Sequence, residues 1–128
     1  MKLGLAVAAA FVLVFVSACN TRPVLNINEA PVVTSGQAAS PQAVEGAIVR
    51  AGTSLGWKMT PVRPGLVAGR LDLRTHTAVV DVSYDAKAYS IRYKDSTNLH
   101  ADGANIHKNY NGWIENLDRN IRTELLRL

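Results

Sequence analysis

Apolar positions along this chain follow four successive rhythms. They run unbroken from Leu3 to Val16, return at helical intervals from Ser40 to Leu55, alternate from Trp57 to about Asp95, and become helical again after Asn105. The stretch between the first two rhythms, residues 20 to 42, mixes Pro, Asn, Ser, Thr, Gly and Gln with scattered aliphatics, the composition of a tether. Within it only VLNI and PVV have the character of a short edge strand.

In SPQAVEGAIVRAGTSLGW, Val44, Ala47, Ile48, Ala51 and Leu55 share one helical face. Ser40 suits the cap, Pro41 the first helical position and Gly56 the end, which predicts an amphipathic helix of about 14 residues. Gly52 weakens its last turn.

Turn signals divide the alternating region into four strands. WKMTPV ends at RPGL, where Pro64 and Gly65 suit the centre of a tight turn. The next strand places Val67, Gly69, Leu71 and Leu73 on one face and Ala68, Arg70, Asp72 and Arg74 on the other. TAVVDVSY turns Ala78, Val80, Val82 and Tyr84 inward, and YSIRYKDS follows the loop DAKA. Closing the first hairpin over Thr75 and His76 pairs Leu73 with Ala78 and sets Arg70 opposite Asp81. Closing the second pairs Tyr84 with Tyr89, Val82 with Ile91 and Val80 with Tyr93, and sets Asp81 opposite Arg92. The expected surface is one carboxylate between two guanidinium groups, with Arg74 and Lys94 nearby. The first strand is ambiguous by one residue, which leaves the facing of Trp57 open.

After Asp102 and Gly103, the residues Ile106, Tyr110, Ile114, Leu117, Ile121, Leu125 and Leu128 form a helical stripe, widened by Trp113. The element order α-β-β-β-β-α predicts a two-layer α+β fold. It is a four-stranded antiparallel meander with its third strand central, an N-terminal and a C-terminal helix on one face, and the other face wet.

Composition changes the picture at the amino end. The leader MKLGLAVAAAFVLVFVSAC has one lysine, about 14 apolar residues and the small pair Ser17 and Ala18 before Cys19. That run is shorter than the roughly 20 residues a membrane-spanning helix needs, and it reads as a signal peptide. VSAC resembles the lipobox of bacterial lipoproteins, in which the cysteine receives a diacylglycerol, the leader is cleaved and the new amino terminus is acylated. The resemblance implies that Cys19, the sole cysteine, is a lipidation site and neither nucleophile nor metal ligand. Asn20 after it implies outer rather than inner membrane retention, with the domain facing the periplasm. The chain then divides into a signal peptide (1–18), a lipidated flexible tether (19–40) and a single α+β domain (41–128).

Of the 14 basic residues Lys2 lies in the leader, so 13 stand against 10 acids in the mature chain, a formal charge near +3. No two basic residues are adjacent, which argues against nucleic acid as a partner. With a single cysteine there is no intrachain disulfide, and stability must come from packing.

SLGWKMTPVRPGLVAGRL, HTAVVDVSYDAKAYSIRYKDSTNL and IHKNYNGWIENLDRNI together resemble a family of small bacterial lipoproteins of uncharacterised function. The resemblance covers Val44 to Leu125 and implies fold and envelope location, with no catalytic residues.

Candidate chemistry is sparse. There is no nucleophile elbow, phosphate loop or dinucleotide fingerprint, so the chain is read as a non-enzyme without cofactor. His76, His100 and His107 are the only histidines, and none pairs at i, i+4 on a helix; a metal site is not expected. Two regions remain. Arg70, Arg74, Asp81, Arg92 and Lys94 form a candidate binding surface on the open sheet face for an envelope protein, peptidoglycan or anionic lipid. Asn98, His100, His107, Tyr110, Asn111 and Trp113 form a candidate ligand region; the plainer alternative has Tyr110 and Trp113 in the core, His107 and Asn109 capping the helix and Asn98 closing a turn. The first favours an anchored interaction module, held to the membrane through lipid on Cys19; the second favours a small-ligand or metal carrier.

Overall fold

The computed structural model describes residues 20–128 together with Gly4, Ala9 and Ala10, so Cys19 and most of the leader lie outside the described residues. The described part is an α+β fold of two helices and seven strands in two sheets, which corrects the expected four-stranded meander. In chain order the elements are β1 (Thr21–Pro23), β2 (Ile27–Pro31), α1 (Pro41–Ser54), β3 (Lys58–Arg63), β4 (Leu66–Leu73), β5 (His76–Tyr84), β6 (Ala88–Thr97), β7 (Asn105–His107) and α2 (Lys108–Leu126). The main sheet is antiparallel with the order β2-β6-β5-β4-β3, and β1 pairs with β7 in a second, two-stranded sheet.

The correction originates in the segment read as a tether. Residues 21–31 supply β1 and β2, and they do so with little intrinsic strand propensity. What holds them comes from far along the chain. The Asn111 side chain accepts from the Leu25 amide at 3.0 Å and donates to the Pro23 carbonyl at 2.9 Å. The Asn26 carboxamide oxygen accepts from the Tyr93 amide at 2.9 Å, and the Val32 amide donates to the Lys87 carbonyl at 2.8 Å. Glu29 adopts a left-handed backbone (φ 50°) at a break in register; its amide donates to Ser90 Oγ, which donates back to the Glu29 carboxylate. Ala30 is buried, and Val24, Leu25, Ile27 and Val32 pack half-buried against the core.

Both outer strands of the main sheet resist pairing with another chain. β2 carries the Glu29 irregularity and Pro31. β3 carries Lys58, Pro61 and a register shift between Pro61 and Arg63. Proline withholds a ladder donor, and a bulge twists the edge away. The β3 shift also settles the facing of Trp57. An unbroken ladder from the Pro64–Gly65 turn would have sent Trp57 outward. The extra residue, Val62, turns it inward, where it is 3 % exposed.

The β5–β6 register is the expected one: Tyr84 opposite Tyr89, Val82 opposite Ile91, Val80 opposite Tyr93 and Asp81 opposite Arg92. The β4–β5 register is corrected by two residues. Leu73 pairs with His76, Leu71 with Ala78 and Arg70 with Val79, because the turn closes over Arg74 and Thr75 with Arg74 in a left-handed conformation (φ 56°). A two-residue shift keeps every side chain on its face but moves Arg70 away from Asp81.

Helix α1 begins and ends as expected, with Ser40 Oγ accepting from the Ala43 amide at 3.1 Å. Helix α2 starts later than its apolar stripe does: Ile106 belongs to β7, and His107 caps the helix. Both helices cover the apolar sheet face. Val44, Ala47, Ile48 and Ala51 of α1 and Ile114, Leu117, Ile121 and Leu125 of α2 enclose one core with Val67, Val80, Val82 and Ile91. Gly52 in α1, which weakens the helix locally, leaves room for the neighbouring thioether: a Cβ there would lie 2.9 Å from Met59 Cε and closer still to Met59 Sδ.

Candidate functional site

The face of the main sheet turned away from the helices stays open and polar. Residues directly opposite in an antiparallel pair share a face, so Lys58 and Arg70, which are paired, stand side by side. Arg92 and Lys94 lie across the sheet on β6, both exposed. Arg70 donates to Asp72 on its own strand through Nε at 3.0 Å and Nη2 at 3.2 Å, and Thr77 Oγ1 donates to the same carboxylate at 2.8 Å. These donors hold the Asp72 carboxyl below the usual carboxylate range, the Arg70 bond contributing most.

The expected bracket of Asp81 by Arg70 and Arg92 is thereby corrected. Arg92 does stand opposite Asp81, but the cation that pairs with the carboxylate is Lys94, whose Nζ lies 3.7 Å from Oδ1. Arg74, expected on the strand, occupies the β4–β5 turn. Sequence reasoning placed Asp72 on this face without pairing it with Arg70, although two residues apart on one strand is the signal for it; Lys58 was missed because only the extra residue at Val62 brings it opposite Arg70.

The second region lies at the end of the domain where β1, β7 and the start of α2 meet. It brings the three histidines near one another. The His100 and His107 ring centres are 6.5 Å apart, and His76 lies 6.4 Å from the Trp113 ring. The residues singled out there divide by role. Tyr110 is wholly buried, edge-on to Tyr93 at 5.6 Å. Asn111 pins the amino-terminal segment. Asn98 and His100 both adopt left-handed backbones (φ 58° and 54°) on either side of Leu99, which they drive into the core. The Asn98 carbonyl lies 2.7 Å from His76 Nδ1, and its side chain donates to Thr75 Oγ1 at 2.9 Å. Among the described residues no group of three His, Cys, Asp or Glu side chains is arranged to hold a metal ion.

His107 caps α2 by accepting from the Asn109 amide at Nδ1, 3.1 Å away. Desolvation, then the neighbouring His100, His76 and Lys108, push its pKa below the usual histidine value. A protonated Nδ1 cannot accept that hydrogen bond. With the folded pKa depressed, the folded state binds its proton later than the unfolded chain, so stability falls as pH drops below about 6.5. Replacing His107 by Asn, which caps equally well without titrating, is expected to shrink the difference in Tm between pH 7.5 and pH 5. Thermal melts of both proteins at the two pH values check this; an unchanged difference would assign the acid sensitivity elsewhere.

A shallow groove of about 700 Å³ runs along this same end between β1 and α2, lined in part by Arg22, Pro23, Lys108, Asn109 and Trp113. A smaller apolar recess of about 230 Å³ lies near the other end of α2, between Pro31, Val33, Leu125 and Leu126, with Arg122 at its rim.

No protein-family model, curated protein or solved structure matches this chain.

Proposed function

We propose that this chain is a lipid-anchored envelope lipoprotein, held through Cys19 to the outer membrane and facing the periplasm, and that its folded domain is a non-catalytic interaction module. It belongs, on this reading, with the small bacterial lipoproteins that its sequence resembles. The observation that carries the module reading is the uncovered polar face of a five-stranded sheet whose two edges are both blocked. Lys58, Arg70, Arg92 and Lys94 project from that face, with Asp72 and Asp81 engaging two of them. An acidic or mixed-charge envelope partner fits such a face better than a strand added at an edge. Among the described residues no helix is long and apolar enough to cross a membrane.

Two measurements test the two parts. Mass spectrometry of the chain extracted from the envelope is expected to find Cys19 as the amino-terminal residue, carrying a thioether-linked diacylglycerol and an N-acyl group. An unmodified Cys19 thiol would overturn the anchor. Reversing charge at Arg92 and Lys94 together, both exposed and neither in the core, is expected to abolish partner capture, with a cooperative thermal melt showing that the variant still folds despite the acids now set beside Asp81. Capture that survives the reversal would overturn the sheet face as the partner surface.

A further inference from the structure

The amino-terminal strand fixes how an anchored domain would stand. β1 begins at Thr21, opposite His107, and is held to the body by the β7 ladder, by the Val24 amide on the Ala104 carbonyl at 3.0 Å and by the two Asn111 hydrogen bonds. One residue, Asn20, separates it from Cys19. At roughly 3.5 Å per extended residue, the lipidated position lies within about 7 Å of β1. A chain anchored there has no spacer to lift it from the headgroups, and the end built from β1, β7 and the start of α2 is the end nearest the bilayer.

That end is chemically suited to the position. Arg22 and Lys108 line the groove between β1 and α2, together with the half-buried ring of Trp113. Arg74 projects from the β4–β5 turn beside His76, which neighbours Trp113. Arg22 donates through Nη1 to the Thr21 carbonyl at 2.8 Å, and Glu115 also lines the groove; the Asp102 carboxylate, before β7, is occupied by the Ala104 and Asn105 amides. Cations flanking an amphipathic indole are the combination that membrane interfaces favour, the ring at headgroup depth and the cations on lipid phosphates.

We propose that this end of the domain docks on anionic phospholipid of the membrane that carries the anchor, with a lipid phosphate in the Arg22–Lys108 groove and Trp113 at the interface. The inference rests on the lipoprotein reading above. It leaves the open sheet face free for the partner.

The test uses the full lipidated chain reconstituted into vesicles of phosphatidylcholine, alone or mixed with phosphatidylglycerol, both containing lipid brominated close to the headgroup. Flotation reports the anchor, and quenching of tryptophan fluorescence reports docking. The chain has two tryptophans, and Trp57 is buried in the core, so the part of the quenching lost in Trp113→Phe belongs to Trp113. That part is expected to be at least about twofold larger in the anionic vesicles. Lys108→Glu should reduce the anionic gain, and Arg22→Glu with Lys108→Glu should remove it. Flotation with equal quenching in both membranes, or a gain that survives both variants, would overturn the docking and leave the anchor standing. A chain that floats with neither membrane would overturn the anchor and the docking together.

Discussion

Deleting residues 20–32 is expected to cost the domain about 3 kcal/mol or more, a large part of the stability a chain of this size possesses. The deletion strips β2 from the edge of the main sheet and β1 from β7, and it exposes the surface now covered by Val24, Leu25, Ile27, Ala30 and Val32. Fully burying one large aliphatic side chain stabilises by about 1.5–3 kcal/mol, so four of them half-buried supply this much before any hydrogen bond is considered. The side chains of Asn111 and Ser90 would also lose their partners. For a domain of about 100 residues the loss corresponds to a fall in Tm of roughly 10 °C or more. Thermal melts of residues 20–128 and 33–128, followed by circular dichroism, decide it. Near-equal Tm values would mean that the segment is a tether after all.

A pair of tyrosines supplies the second large effect, with its own control. Tyr89 is buried in β6, and its hydroxyl donates to Asp118 of α2 at 2.5 Å; Arg122 Nη2 lies 2.9 Å from the other Asp118 oxygen. Burial, and then the bond to Asp118, push the Tyr89 pKa well up, so the ring remains a donor at any physiological pH. Tyr110 is equally buried, but its hydroxyl has no hydrogen-bond partner. Tyr89→Phe removes a bond to a charged acceptor and is expected to cost about 1.5–3 kcal/mol. Tyr110→Phe removes an unsatisfied hydroxyl and is expected to leave stability unchanged or raise it by up to about 1 kcal/mol. Urea titrations of the two single variants measure the gap. Equal losses in both would mean that Tyr110 has a partner, such as an ordered water, or that the bond to Asp118 contributes little.

How far the fold is legible in the sequence depends on how local its causes are. Helix α1 is written in Ser40, Pro41 and a helical apolar stripe, and the β5–β6 hairpin in an alternation that admits one register. The β4–β5 turn is less legible because Arg74 adopts a conformation usually left to Gly or Asn, and nothing in RTHT signals it. The amino-terminal strands are least legible. TRP and INEAP have prolines and polar residues where strands usually carry branched ones, and they are held by Asn111, Tyr93, Ser90 and Lys87, partners some 55 to 90 positions away. The same non-local causes governed the candidate site. Arg92 opposite Asp81 followed from one hairpin, whereas Arg70 was misplaced by the other and its pairing with Asp72 was overlooked. Of the second region, Tyr110 as core, His107 as cap and Asn98 as a turn residue follow from residue type and place in the chain, whereas the hold of Asn111 on the amino-terminal segment does not.

The central claim is an anchored interaction module that meets its partner through the open sheet face, and in-cell crosslinking tests it most directly. A photoreactive residue is placed at Asp72, on the exposed sheet face, and in a separate strain at Asn109, at the α2 end nearest the anchor. The account predicts one discrete envelope-protein adduct from the Asp72 position, lost when Arg92 and Lys94 are charge-reversed, and no such adduct from Asn109. An adduct from Asn109 alone, or an Asp72 adduct indifferent to the charge reversal, would contradict it.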